Sequence, residues 1–346
     1  MNDYPKCSFI KEESNMFIHS TRRLFRLATV FKRLLQKHFF PIILICSIKS
    51  TLLAFPAYGV ELLNVKHLFD ITHEFSEPSD VSVSKEGLIY VVDGVNNKIK
   101  IFRNDGDFLS SFGRKGSGNG EFLFPLGIDI APSGKVYVAD SGNHRIQVFD
   151  PKGSFIAKVK LPPKKGRPAD PTDVVVDETG NRLYAVDNDN HYILVYELSK
   201  LTLLETFGAP GNQERHFTYP FFIALDKDKY LYIVDVINTR VQVLNPEGLF
   251  VTFIGEWGVD KGQLFRPKGV AIDKQNRVYV SDSYMGVIQV FDSLGNFYAV
   301  LGDPIKRSVL KFKTPTGIYV DDYNKLYVVE MFAQKVSVYS IEDHVQ

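Results

Sequence analysis

The sequence predicts an all-β chain folded as a six-bladed β-propeller of four-stranded antiparallel blades, and two observations support this fold class. First, prolines at positions 78, 125, 171, 220, 267 and 315 recur at intervals of 46 to 49 residues. Second, each proline precedes a series of short segments, four in the first five repeats and three in the last, which are rich in Val, Ile, Tyr and Phe and separated by Gly, Asp, Asn or Pro; these are strand and turn signals. The chain has 346 residues, of which 45% are hydrophobic and 23% charged, as expected of a globular protein.

The four segments keep the same order in every repeat. The first is a short apolar strand, which reads DVSV at 80, GIDI at 127, DVVV at 173, FIAL at 222, GVAI at 269 and GIYV at 317. The second is aromatic and β-branched and ends with an acid, at Asp93, Asp140, Asp187, Asp235, Asp282 and Glu330. The third alternates, as in KIKIF, RIQVF and RVQVL, and the fourth follows a turn, as in FLSSF before Gly113. Four such strands make one antiparallel blade.

The two ends of the repeat region predict how the ring closes. The last repeat stops at KVSVYS, after its third strand, whereas LFDITHEF at 68–75 precedes the first repeat and resembles a spare fourth strand. We expect this N-terminal strand to complete the last blade, because closure removes an exposed strand edge. The predicted propeller domain therefore spans residues 60–346, with repeats starting near the six prolines.

The repeats resemble the NHL repeat. The resemblance rests on the pattern P-x-G-[VI]-A, on VYVADSGNHRIQVFD at 136–150 and on the loop GRKGSGNGEFLFP at 113–125, and it covers residues 77–340. Repeats three and six depart from the pattern, with HYILVYE and EMFAQKV. The resemblance implies a six-bladed propeller. It does not choose a function, because that family includes protein, RNA and glycan binders, sensor domains and a few lyases.

Residues 1–59 form a separate basic and apolar segment. Residues 21–38 carry six Lys or Arg and no acid, and the apolar run FFPIILICSI follows at 39–48. This order is typical of a secretory signal, so we expect export to the periplasm or outside the cell, with cleavage before about Val60. The alternative is an uncleaved segment that contacts the membrane and anchors the propeller outside the cell. Both cysteines, Cys7 and Cys46, lie in this segment, so no disulfide is possible after residue 60.

The charge distribution predicts a binding surface. The first 60 residues carry about +6 and the remainder about −5, which argues against a nucleic-acid-binding domain. The loops that connect one blade to the next are nevertheless basic, and we expect them to bind a protein or an anionic polymer. The candidate binding residues are Arg114, Lys115, Lys164, Lys165, Arg167, Arg215, Trp257, Lys261, Arg266, Lys306 and Arg307. The sequence thus favours a non-enzymatic, monomeric binding or scaffolding propeller.

An enzymatic alternative is a metal-dependent lyase or lactonase with its site at the central channel. Its candidate ligands are Asp80 and Asp173, after their prolines, and His144 and His191, in predicted loops, and the metal would be Ca or Zn. No HExxH or GxSxG motif is present, so we predict no catalytic residue and no cofactor. The acids that end the second strands are expected to stabilise the turns that follow them.

Overall fold

The computed structural model describes residues 61–345, which form a six-bladed β-propeller, as predicted. The predicted N-terminal signal or anchor segment, residues 1–59, lies outside the described residues. Each blade is an antiparallel sheet in which consecutive strands are neighbours, and the first strand of each blade lies beside the first strands of the adjacent blades.

The first three blades have four strands each. Blade 1 contains β2 (Pro78–Val83), β3 (Ile89–Asp93), β4 (Lys98–Phe102) and β5 (Phe108–Phe112). Blade 2 contains β6 (Pro125–Ile130), β7 (Val136–Asp140), β8 (Arg145–Phe149) and β9 (Phe155–Lys160). Blade 3 contains β10 (Pro171–Asp177), β11 (Arg182–Asp187), β12 (Tyr192–Glu197) and β13 (Thr202–Phe207).

The remaining blades follow the same plan, with additions in the loops. Blade 4 contains β14 (Pro220–Leu225), β15 (Leu231–Asp235), β16 (Arg240–Leu244) and β17 (Phe250–Ile254). Blade 5 contains β20 (Pro267–Ile272), β21 (Val278–Asp282), β22 (Val287–Phe291) and β23 (Phe297–Asp303). Blade 6 contains β25 (Pro315–Val320), β26 (Lys325–Glu330), β27 (Lys335–Val345) and the N-terminal strand β1 (Leu62–Ile71). The short strands β18 (Glu256–Trp257), β19 (Gln263–Leu264) and β24 (Ser308–Val309) lie in loops, and two 3-10 turns span Ser141–Asn143 and Met331–Ala333.

The ring closes through the N-terminal strand. Strand β1 pairs antiparallel with β27 along its length, from Leu63 opposite Val345 to Ile71 opposite Val336. It also pairs parallel with β23, which joins the sheets of blades 5 and 6. The predicted closure is therefore confirmed, and this second pairing adds to it.

The repeated sequence positions share one register. In every blade the proline that begins the first strand lies opposite the acid that ends the second, and a bulge follows the proline, as with Pro125 and Asp140. The second strands are buried along almost their whole length, and their tyrosines Tyr90, Tyr232, Tyr279 and Tyr327 are among the largest fully buried side chains. The core is a series of apolar clusters, most of which join adjacent blades, because each twisted sheet packs its face against the next.

Candidate binding surface

Two kinds of connection form one face of the ring, which we call the upper face: the loops from the fourth strand of a blade to the next blade, and the turns from second to third strand. These connections bind each other across the blade boundary. In blade 2, the Gly142 N–H donates to the Leu123 carbonyl at 2.8 Å and the Asn143 amide donates to the Gly116 carbonyl at 2.9 Å. The loop backbones are thus fixed, and the side chains that point outward from them form the exposed surface.

The acid that ends each second strand holds these loops from beneath. Asp140 is fully buried and accepts hydrogen bonds from the Leu123 N–H at 2.8 Å, the Asn143 amide at 2.9 Å and the Arg145 Nε at 2.7 Å. Asp235 in blade 4 repeats the arrangement. Burial raises the pKa of Asp140 and Asp235, whereas the donors around each carboxyl lower it. The repeated acids therefore serve the fold, as the sequence indicated.

Three of the predicted rim cations have carboxylate partners. Arg114 pairs with Glu121 at 2.8 Å in its own loop, Lys306 with Asp303 at 3.3 Å, and Lys261 with Glu61 at 2.9 Å. These pairs neutralise part of the charge that a count of cations assigns to the rim. Water and salt screen these pairs at the surface, so each contributes little to stability.

The loop between blades 2 and 3 carries a cluster of three cations, Lys164, Lys165 and Arg167. The backbones of Lys164 and Arg167 bond to each other at 2.9 Å, which forms a tight turn with Lys165 and Gly166 in the left-handed region. The Lys164 ammonium lies 4.3 Å from the centre of the Tyr192 ring. None of the three has a carboxylate within ion-pair distance in the described part of the chain, and all three are exposed. This is the most concentrated unpaired positive charge among the predicted binding residues.

The other predicted binding residues lie farther around the rim. The Arg215 guanidinium lies 5.8 Å from the centre of the Phe207 ring, and Trp257 is exposed in β18. Arg266 donates its backbone N–H to Asp282 at 3.0 Å. Lys115 lies beside Arg114, and Arg307 follows Lys306 with a left-handed backbone. The predicted set therefore occupies four successive loops and the tip of a fifth, and whether it binds a partner stays a prediction.

The candidate metal ligands do not converge. His144 Nδ1 contacts the Ala169 carbonyl at 2.6 Å, and His191 Nδ1 accepts the Tyr219 N–H at 3.0 Å, so both rings serve upper-face turns. Asp80 and Asp173 instead lie on first strands, which line the central channel. Within residues 61–345, no group of three or more His, Cys, Asp or Glu side chains is placed to hold a metal ion.

The central channel contains carboxyl groups on three consecutive blades: Asp80, Asp129 and Asp173, of which Asp80 and Asp173 are buried and Asp129 is half-buried. They line a cavity of about 190 Å³ whose remaining wall, on blades 4 to 6, is apolar. Each carboxylate bridges to the next blade by accepting a backbone N–H, from Ile128 for Asp80 and from Ile223 for Asp173, both at 2.9 Å. Asp129 accepts from the next blade in the same way. It was not predicted, although its signal is visible in GIDI, where the other repeats place an apolar residue or Ser.

Burial dominates the titration of these three groups. It raises the pKa of Asp80 to about 7 and of Asp129 to about 6, and it raises the pKa of Asp173 well above its usual value. The N–H donors oppose these shifts, and the negative charges of the neighbouring carboxylates add to them for Asp80 and Asp173. Backbone donors already occupy the carboxylates, so the group is a buried link between blades.

Comparison with known sequences agrees with this architecture. A family model described as a 6-bladed beta-propeller matches residues 72–163 and 128–245, which together span half of the chain, and an NHL repeat model matches residues 266–291. The protein brain tumor of Drosophila melanogaster is 28% identical over 135 residues. That match covers 38% of this chain and only 12% of the relative.

Comparison with solved structures shows the fold alone, because the identities are low. A streptogramin B lyase structure superimposes with a TM-score of 0.59 at 14% identity and covers 79% of this chain and 97% of that one. A catalytically inactive virginiamycin B lyase from Staphylococcus aureus, solved with quinupristin, gives a TM-score of 0.58 at 14% identity, over 82% of this chain and 96% of that one.

Among the described residues, no helix has the length and apolar character needed to span a membrane.

Proposed function

Because the chain belongs to the 6-bladed β-propeller family, we propose that it is a non-enzymatic binding or scaffolding propeller whose basic upper-face loops hold an anionic protein or polymer. The observation that carries this proposal is the unpaired cluster Lys164, Lys165 and Arg167 on the rigid turn between blades 2 and 3. A concentrated positive patch on a body of opposite net charge attracts an anionic partner and orients it.

The fold supports the proposal because the residues that stabilise the ring are different from the residues of the exposed cluster. The buried acids and the second strands hold the ring together, whereas the cluster makes no contact on which a blade depends, apart from its own turn and the Tyr192 ring. Long loops on a rigid scaffold are typical positions for binding residues.

Binding of the full chain to immobilised poly-L-glutamate tests the role of the cluster. We expect the triple variant Lys164→Glu, Lys165→Glu, Arg167→Glu to bind about tenfold more weakly, a change of about 1.4 kcal/mol. The matched control is Lys85→Glu, Lys135→Glu, Lys152→Glu, which changes the net charge equally at exposed positions in turns of the opposite, lower face. The control should bind at nearly wild-type strength, and the difference between the triples should shrink in high salt.

Equal loss of binding in both triple variants would mean that net charge, and not the cluster, drives association. Full binding by the cluster variant would refute the placement of the site. Either result would leave the fold and the closure of the ring unaffected.

The proposal includes export through the N-terminal segment. Sequencing the N-terminus of the mature protein, isolated from its own host, should give a start near Val60. Recovery of the intact chain in the membrane fraction, with the propeller accessible to protease outside the cell, would favour the anchored form instead. A full-length chain inside the cell would contradict export.

A further inference from the structure

The upper-face turns carry apolar side chains on one side of the ring only. The position two residues after the acid of each second strand is Val95, Gly142, Asp189, Ile237, Tyr284 and Phe332 in blades 1 to 6. Turns of this kind favour small or polar residues, as blades 2 and 3 have. Blades 4, 5, 6 and 1, which are consecutive around the ring, have exposed apolar residues there instead, with exposed fractions of 54%, 58%, 58% and 42%.

The loops between the same blades add further exposed apolar side chains, of which Trp257 and Ile305 are the most exposed. Trp257, between blades 4 and 5, is 71% exposed, and Ile305, between blades 5 and 6, is 92% exposed. We call the six side chains the apolar arc: Ile237, Trp257, Tyr284, Ile305, Phe332 and Val95. Exposed apolar side chains that are grouped on one side of a surface are typical of an interaction site, and Trp and Tyr are frequent at the centres of protein interfaces.

The fold does not require these side chains. The turns that carry them are held by backbone groups: the Ile237 N–H donates to the Thr218 carbonyl at 3.2 Å, and the Tyr284 N–H donates to Asp282 at 3.1 Å. Tyr284 also packs its ring on Phe265, with 4.3 Å between ring centres, which leaves more than half of Tyr284 exposed. Packing within the chain therefore does not explain the residue types of the arc.

The charges beside the arc indicate what covers it. Ile305 occupies the tip of a hairpin between β23 and β24, where Asp303 accepts the Ile305 N–H at 2.9 Å and the Lys306 N–H at 3.0 Å. The same tip exposes Lys306 and Arg307, and Arg307 has no ion-pair partner in the described part of the chain. A ligand that covers Ile305 therefore meets positive charge and is favoured if it carries carboxylates.

Other charges distinguish a protein from a lipid surface. Glu256 precedes Trp257, and Asp260 follows it three residues later, and both are exposed. These acids would face the headgroups of a flat anionic membrane, which disfavours that ligand. A protein segment, unlike a membrane, carries its charges at separate positions. It can therefore place apolar side chains on the arc while its carboxylates lie over the cationic hairpin tip and away from Glu256 and Asp260.

We propose that the apolar arc is the docking surface for a protein segment that presents apolar side chains next to Asp or Glu. This inference rests on the proposed function, because it names the partner class of the same upper face. It assigns the specific contact to blades 4, 5, 6 and 1, whereas the cluster of blades 2 and 3 supplies long-range attraction.

The test uses a displayed library of random 16-residue peptides, selected on the full chain. Enriched peptides should combine aromatic or aliphatic residues with acids. Their affinity should fall at least tenfold for Ile237→Ser, Tyr284→Ser, Phe332→Ser, which removes apolar surface without changing the charge. The matched control is Leu249→Ser, Leu294→Ser, Tyr323→Ser, at exposed apolar positions in lower-face turns, and it should keep affinity within twofold. The thermal melt of each variant should match that of the wild type, and the single variant Phe332→Ser should show a smaller loss in the same direction.

The charge part of the proposal has its own variant. Lys306→Gln, Arg307→Gln should weaken the selected peptides about threefold to tenfold and make their binding less sensitive to salt. Unchanged affinity in this variant would refute the requirement for carboxylates.

Several results would overturn the proposal. The first is a selection that enriches no peptide. The second is a triple arc variant that binds the selected peptides as tightly as the wild type does. The third is the enrichment of basic peptides without apolar residues. A self-association that the arc substitutions abolish would assign the surface to a second copy of the chain, and loss of binding to phosphatidylserine vesicles alone would assign it to a membrane. The poly-L-glutamate assay reports separately on the proposed function, since its variants do not touch the arc.

Discussion

The free energy of unfolding should rise as the pH falls from 8 to 5.5, because the pKa values of three carboxyl groups that line the channel are raised. A group whose pKa is higher in the folded than in the unfolded chain binds more protons when folded. Its contribution to stability is complete below the unfolded value of 3.8 and is lost as the pH rises through the folded value. For Asp129 and Asp80 the folded values are about 6 and about 7, so the loss begins just above pH 4 and is nearly complete by pH 8.

The linkage relation gives the size of the effect. Between pH 8 and pH 5.5 it yields roughly 1 kcal/mol for Asp129 and roughly 2 kcal/mol for Asp80. Asp173 acts in the same direction, because its pKa is also raised by burial and by the neighbouring negative charge of Asp80. We therefore expect a gain of about 3 kcal/mol or more.

Other titratable groups add to this trend, oppose it or leave it almost unchanged. Asp70 and Asp177 have lowered pKa values, so they lose stabilising charge only at pH values below this window. Asp187 has a raised pKa and adds to the gain. Burial lowers the pKa of His191, so its protonation opposes the gain below about pH 6.5. The variant comparison below removes this opposing contribution.

Urea unfolding of the full chain at half-unit pH steps measures the trend. Asp129→Ser, which installs the residue that Ser82 supplies at the same position of blade 1, should reduce the gain by about 1 kcal/mol. Asp150→Ser is the control, since Asp150 lies in a lower-face turn and has a lowered pKa, so its loss should leave the trend intact. A stability that falls between pH 8 and 5.5, or equal trends in the two variants, would refute the assignment of the effect to the channel.

Four further predictions follow from the fold. Deletion of residues 61–76 should abolish soluble folding, because β1 completes blade 6 and pairs with blade 5; a cooperative melt of the deleted chain would contradict this. Gly127→Ala should destabilise the fold by several kcal/mol, since its Cβ would lie 2.2 Å from Asp173 Oδ1 and 2.7 Å from the Asp173 Cα, whereas Gly248→Ala, in open space, should cost about 1 kcal/mol for its left-handed backbone alone. Arg240→Met should cost roughly 3 to 5 kcal/mol by leaving the buried Asp235 unpaired, whereas Arg114→Met, at a solvent-screened pair, should leave the melting temperature almost unchanged; similar melting temperatures of the two variants would contradict the distinction. Elemental mass spectrometry of protein from its own host, purified without chelator, should find no stoichiometric Zn or Ca, and about one metal per chain would favour the lyase alternative.

The fold could be predicted from the sequence because the repeat supplies six copies of the same signals. Each proline and each terminal acid occupies a position that the fold requires, so the register of Pro125 opposite Asp140 holds in every blade. The closure could be predicted because a missing fourth strand at one end matched a spare strand at the other.

The sequence placed Asp80 and Asp173 at the channel, but the group of three carboxyls with Asp129 could not be predicted because it depends on contacts between blades. Asp129 lies two positions later in its strand than Asp80 and Asp173 do in theirs, so sequence alignment of the repeats separates residues that the ring brings together. Gly127 and Gly317 allow this approach, since a Cβ on either would meet a carboxylate of the adjacent blade. The relative height of neighbouring first strands is set by packing, which no single repeat encodes.

The net charge of the basic upper-face loops also could not be predicted in full from the sequence. Cations were counted as free charge, yet the chain folds Glu121 back onto Arg114 and brings Glu61 from the far end of the sequence onto Lys261. The first pair is seven residues apart and could have been suspected, whereas the second requires knowledge of where β1 enters the ring. The cluster on the turn between blades 2 and 3 kept its charge because no carboxylate lies within ion-pair distance of that turn among the described residues.

Comparison of equivalent positions in the six blades distinguishes residues that the fold requires from residues that serve a function. A buried position that keeps its residue type in all six blades, such as the acid after the second strand, is explained by the ring itself. An exposed position that is apolar on one side of the ring only is not explained by the ring, because the corresponding turn of blade 3 accepts the polar and exposed Asp189. The lining of the central channel also differs between the two sides of the ring, with carboxyl groups on blades 1 to 3 and an apolar wall on blades 4 to 6. A symmetric scaffold with an asymmetric surface binds a partner in one preferred orientation. Substitutions in the apolar arc should therefore weaken the specific contact, whereas substitutions in the cluster should weaken the long-range attraction.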